Sequence, residues 1–393
     1  LEPFHMRTDH DIITKSESGS GRGPVNVESS APAKPGEQGR WSLCPPGAGR
    51  KQYNLHFINT PIELSPAVGK TPPVVDKYGL IYVIDEEMAE VKADPKKAFP
   101  LVIRANVYDC VDVLLSSEWD DDDFTNFQMS KVNIHPHFFQ FDNQASDGVI
   151  TGFSYDQSMR SYTQFTKKMK DGHHVSMPMP MNAKLLKATK AGDKMVEIQM
   201  AKGSPTYHVG ADIIVGIEVP NGKDARWITN ITPDPNKGEA KDGKYTITFD
   251  EGMTHAHAAG QIVTTEYVRY RWWVDADVGL VFWHDHAFGA TTWPHGGIGS
   301  TIVEPWGSTY HDPQTGETIR SGPVADIHGT EPFAYSRNGS FRELVAQVHD
   351  TVPHTAQLVT AGNPPGLSRE NAIAAGQSIS FQMPSDMLEV AFP

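Results

Sequence analysis

Short apolar runs divided by turn residues recur through most of the chain and carry the first expectation, an all-β fold. Residues 53–58 and 80–84 are the first convincing strands. Residues 101–115 are almost continuously apolar and read as two core strands, with a further strand over 131–141. Residues 212–219 and 245–249 suggest a small β layer of their own, and 269–274 and 279–283 return to the core pattern. A last strand opens at 341–349. Residues 1–49 lack this pattern. Rich in Gly, Ser and Pro from 16 to 39, they read as a flexible leader or linker without a packed core.

Two of these runs carry paired histidines, His135 with His137 and His284 with His286. Strand side chains alternate faces, so residues i and i+2 point the same way, about 6.5–7 Å apart along the chain. Two imidazoles held so can each serve a different one of two neighbouring metal ions. Imidazole suits copper, zinc, iron and nickel alike. The spacing alone is weak evidence: 17 His in 393 residues give roughly 0.7 such pairs by chance, and His255 with His257 is a third.

Context separates the first and last pairs from chance. The segment Pro100-Leu-Val-Ile-Arg-Ala-Asn-Val-Tyr-Asp-Cys-Val-Asp-Val-Leu-Leu115 precedes His135-Pro-His137, and Asp147-Gly148 follows. Later come Val281-Phe-Trp-His-Asp-His-Ala287 and Gly296-Gly-Ile-Gly-Ser-Thr-Ile-Val-Glu-Pro305. In order and content these resemble the oxygen-binding first domain of multicopper oxidases. The stretch Phe138-Phe-Gln-Phe-Asp-Asn-Gln-Ala-Ser-Asp-Gly148 is similar to the large, manganese-oxidising branch. The resemblance implies a Greek-key cupredoxin-like β-sandwich over 50–306, interrupted by an inserted small β region at about 160–258. A linker and an incomplete second cupredoxin-like domain would occupy 307–393.

Carried over residue by residue, the resemblance implies copper as cofactor. His135 would serve a type 2 copper, His137 one type 3 copper, and His284 and His286 one type 3 copper each. Asp147 matches a carboxylate that the family keeps near the cluster, where it can hold a proton or a water; a turn-forming Asp-Gly is the plainer reading. The type 1 site is not encoded, because neither Cys44 nor Cys110 has a neighbouring histidine and blue copper needs a thiolate. A further pair of His-x-His motifs is missing too. The chain therefore reads as a fragment or processed piece. A further cupredoxin domain, in the same polypeptide or in trans, would complete it.

Composition narrows the partners. A net charge of −14 argues against nucleic acid and anionic membrane and mildly favours cationic substrates. No apolar run approaches the roughly 20 residues of a membrane span. No signal peptide is visible, although enzymes of the resembled kind work outside the cytoplasm, in the periplasm or at the cell surface. Two cysteines cannot make a disulfide framework; they form one bridge or remain buried thiols.

Weaker candidates are His255 with His257, read as a polar loop before a separate metal site, and His295, read as a turn or supporting residue. Met169, Met177, Met179 and Met181 around His173 and His174 offer cuprous-type ligands or a plain loop. The acidic run 118–123 offers hard oxygens for Mn(II) or Ca(II), or a solvated face. Two functions follow. One is an oxidoreductase coupling one-electron donor oxidation, Mn(II) included, to reduction of dioxygen to water. The other is a non-catalytic copper storage or assembly protein. A cupin enzyme fits less well, since no glutamate lies between 138 and 147.

Overall fold

A computed structural model of the protein describes residues 44, 48–119, 131–143, 146–149, 157–163, 182–200, 207–238, 240, 242–287, 289–329 and 339–347. The chain opens with β1 (Gly49–Asn59), a small hairpin of β2 (Ile62–Ser65) and β3 (Val74–Asp76), and then β4 (Leu80–Ile84). A short helix α1 (Met88–Ala93) leads to β5 (Leu101–Asn106), β6 (Asp109–Ser117) and the two-residue β7 (His135–Pro136). Six strands follow: β8 (Ala183–Leu185), β9 (Met195–Met200), β10 (Asp212–Val215), β11 (Asp224–Thr232), β12 (Lys244–Phe249) and β13 (Ile262–Thr264). The rest comprises β14 (Val268–Trp273), β15 (Gly279–His284), helix α2 (Gly289–Thr292), β16 (Ile298–Glu304), β17 (Thr309–His311), β18 (Val324–His328) and β19 (Ser340–Leu344).

The fold is all-β: two four-stranded sheets, ordered β14-β6-β1-β4 and β5-β16-β15-β7, face each other. Period-two alternation builds the space between them. Tyr53, Leu55 and Phe57 of β1 and Tyr270 and Trp272 of β14 meet Leu101 and Ile103 of β5 and Val281 and Trp283 of β15, all buried. The pairing is not purely antiparallel. β1 runs parallel to β6, and β16 parallel to β5. Each parallel pair joins strands far apart in sequence, as parallel pairing requires a crossover.

Between β7 and β14, strands β8 to β13 close into a six-stranded barrel around a separate apolar core that includes Ile198, Ile213 and Phe249. After β16, strands β17 to β19 form a three-stranded sheet. Its end is stitched to the sandwich by Val345 against Val102 and Ile302, by Gln347 bonding Ser300 Oγ at 3.1 Å, and by Arg104 with Glu343 at 2.7 Å. The remainder of the expected second domain, 348–393, lies outside the described residues, as do 169–181 and 120–123.

The two cysteines are joined, Cys44 to Cys110, with Cα atoms 5.8 Å apart. Of the two readings open in the sequence, the bridge is the one the fold adopts.

Candidate metal centre

The expected continuous strand over 131–141 does not form. β7 is two residues long, because Pro136 has no N–H to extend the ladder and Phe138 adopts a left-handed φ of 58°. What β7 does achieve is registration. His135 pairs with His284 across the antiparallel β7–β15 contact, and His137 N–H donates to Phe282 O at 3.2 Å. That register brings the two histidine pairs side by side at the ends of their strands, where each chain leaves the sheet. Just before His284, Trp283 is fully buried and fills the space above Gly299, where a Cβ would lie 2.1 Å from the indole.

Four imidazoles gather there. The ring of His135 lies 4.9 Å from that of His137, 5.4 Å from His284 and 5.3 Å from His286, centroid to centroid. His137 and His284 are 5.3 Å apart, and His284 and His286 5.7 Å. Within each pair the rings are closer than a regular strand predicts, because neither pair sits on one. The ring nitrogens of His135, His137 and His284 lie within 4.8 Å of one another, a grouping that leaves out His286. If the type 2 assignment is taken literally, His135 should stand apart from the other three. Instead His135 is central and the exposed His286 is outermost, because the chain bends out of β15 at Asp285.

The backs of the rings are held. His135 Nδ1 donates to the Asp147 carbonyl at 2.6 Å and lies 3.0 Å from its carboxylate. His284 Nδ1 donates to the Asp285 carbonyl at 2.9 Å. A bonded Nδ1 turns the Nε2 lone pair forward, the usual arrangement behind a metal-binding histidine. Asp147 thus sits behind His135 and not on the open side. Its neighbour must be glycine: at Gly148, φ is 74°, and a Cβ would lie 2.0 Å from the Ile134 carbonyl.

Nε2 of His137 and Nε2 of His284 are 3.2 Å apart. Two nitrogens each about 2.0–2.1 Å from one ion subtend close to tetrahedral geometry at that separation. Burial pushes His284 down to about 4, with repulsion from the other three histidines adding to it against the Asp285 carbonyl bond. Burial, then the charges of His135 and His286, also lowers His137. Both rings are therefore neutral ligands near pH 7. Aromatic side chains close the flanks: Trp293 stands edge-on to His284 at 4.6 Å, and Phe282 lies 5.3 Å from His284 and 5.8 Å from His137. Phe138, beside His137, is 76% exposed. The donor set fits a borderline metal such as copper.

No protein-family model matches the chain, and a search of curated proteins returned no match. Among solved structures, a multi-copper oxidase from Pseudomonas thermotolerans is similar at 12% identity and a TM-score of 0.26, over 66% of this chain and 30% of that one. A copper nitrite reductase from Nitrosomonas europaea is similar at 10% identity and a TM-score of 0.17, over 68% and 97%. The match thus spans less than a third of the oxidase. Identities this low leave the chemistry to be read from the side chains themselves.

The weaker candidates lie elsewhere. His257 Nε2 lies 2.9 Å and His255 Nδ1 3.4 Å from the same Asp224 oxygen, and Arg226 also pairs with that carboxylate at 2.9 Å. This is a buried knot in the barrel. His295 bonds Asp76 at 2.7 Å and is outside the imidazole group. Both cysteines are spent in the disulfide, so the chain has no thiolate for a type 1 copper. Sequence reading missed Asn133, Asp285 and Trp293, which flank the histidines. The available signal was a polar residue beside each pair in otherwise apolar runs.

Proposed function

We propose that the chain is a copper-binding oxidoreductase, the oxygen-reducing half of a multicopper oxidase that couples one-electron donor oxidation to reduction of dioxygen to water. The observation that carries the reading is the 3.2 Å approach of His137 Nε2 to His284 Nε2. In it these two histidines share one copper, while His135 and His286 each serve a neighbouring ion. Copper would supply one-electron steps; the four imidazoles would hold it, and Asp147 fixes the His135 ring. A further cupredoxin domain supplies the type 1 site and the remaining ligands, because each type 3 copper needs more imidazoles than this chain offers. The charge of −14 mildly favours a cationic donor, Mn(II) included. The disulfide supports an oxidising setting, extracellular, periplasmic or cell-surface.

One observation favours a second reading, a copper storage or assembly protein: both cysteines are bonded, so electron entry through a thiolate is absent from this chain. Copper titration of the chain, followed by addition of a type 1 domain in trans, separates the two. Oxygen uptake and blue colour appearing together support the oxidase. Copper uptake with no turnover in any combination supports storage.

A further inference from the structure

The residue between the second pair of histidines is itself the most heavily anchored group at the site. Asp285 is fully buried. Its Oδ1 accepts from Asn133 N at 3.0 Å and Ala287 N at 3.1 Å, and its Oδ2 accepts from Thr292 Oγ1 at 2.7 Å. Its backbone N–H donates to Gly297 O at 3.0 Å. Its carbonyl receives both His284 Nδ1, at 2.9 Å, and the indole N–H of Trp293, whose ring stands against His284.

Asn133 answers from the other segment. Its Oδ1 accepts His286 N at 2.7 Å, while its side-chain amide donates to the carbonyl of Gly148, the residue after the Asp147 that holds His135. The two side chains therefore exchange backbone bonds across the gap between the histidine pairs. Asp285 takes the N–H that leads into His135, and Asn133 takes the N–H of His286. Neither reaches the open side where the Nε2 atoms converge.

We propose that Asp285 and Asn133 form a reciprocal positioning key that sets the separation of the two histidine pairs and so tunes the metal geometry. The proposal rests on the copper reading above. A carboxylate suits the place because it alone can accept from three donors on three segments without donating in return. Outer partners of this kind typically change metal affinity by about 10–100-fold when lost.

The test uses the full chain, with Cu(II) as probe. Affinity is measured by competition titration, coordination by the electron paramagnetic resonance of the bound ion, and folding by thermal unfolding of the metal-free chain. His137→Ala serves as the ligand control. Asp285→Ala should weaken Cu(II) at least tenfold and change the hyperfine pattern. Asp285→Asn, which keeps the Oδ1 acceptor, should restore most of both. Thr292→Val, which removes a single donor, should shift the spectrum while the chain stays folded, and it decides the matter if Asp285→Ala does not fold. A folded Asp285→Ala or Thr292→Val with wild-type affinity and spectrum overturns the key while leaving the copper reading intact. A wild-type chain whose copper binding is indifferent to His137→Ala overturns the copper reading, and the key with it.

Discussion

Asp85, at the end of β4 in the sandwich, forms a fully buried ion pair with Lys223 of the barrel. The same carboxylate lies 2.6 Å from His56 Nε2 on β1 and accepts from Asn221 N at 3.2 Å, while Ser116 Oγ reaches the far side of the His56 ring at 2.9 Å. The barrel is thus joined to the sandwich through charge buried beyond the reach of water.

Removing one member of such a pair strands the other. Asp85→Ala should destabilise the chain by about 3–5 kcal/mol, because the Lys223 ammonium stays buried without its partner. Lys223→Met should cost less, since His56 and Asn221 remain beside the carboxylate. Urea unfolding of both variants checks the order; equal losses would refute it.

Copper should depend on the four histidines unequally. His137→Ala and His284→Ala each remove one of the two nitrogens that face each other at 3.2 Å. Their loss should exceed the roughly 10–100-fold that an outer partner is worth. His286→Ala, at the exposed edge of the group, should cost less. Isothermal titration with Cu(II) reads all three.

Acid should weaken the metal-free fold through His284. Its folded value is about 4, against roughly 6.5 in the unfolded chain. A depressed histidine contributes no penalty above pH 6.5. As pH falls from 6.5 towards 4, the unfolded chain takes up a proton that the folded ring refuses, so stability drops by at most about 3 kcal/mol. His137 acts in the same direction. Denaturation at pH 7 and pH 4.5 should show the drop, and His284→Phe should flatten it.

Asp147→Asn should be mild and Gly148→Ala severe. The closer bond to His135 comes from the Asp147 carbonyl, which the amide variant keeps. An alanine at 148 would drive its Cβ into the Ile134 carbonyl and displace the segment on which His135 rides. Copper affinity compared between the two variants is the measurement; a larger loss from Asp147→Asn would contradict this ordering.

Much of the sandwich is readable before any fold is known. β4, β5, β6 and β15 are largely apolar runs, and β1 and β14 alternate apolar with polar residues, the two patterns that buried strands show. β7 is not readable, because Pro136 and Phe138 interrupt the ladder in the middle of a run that looks like a strand. In the barrel, 212–219 and 245–249 stand out, whereas β9 hides because Glu197 and Gln199 alternate with its core residues. The histidines announce themselves as pairs. That His284 shares its neighbourhood with His137 more closely than with His286 depends on the β7–β15 register, which no local pattern encodes. Asn133 and Asp285 gain their meaning only from the same register. The choice between a bridge and two thiols turns on a distance between Cys44 and Cys110 that only the folded chain possesses.

One property of the barrel reaches beyond its own stability. Its first and last strands, β8 and β13, lie side by side, with Ala183 opposite Val263. The barrel therefore begins and ends at one place, although some eighty residues lie between its two ends. A barrel closed in this way leaves no open edge for another chain to extend.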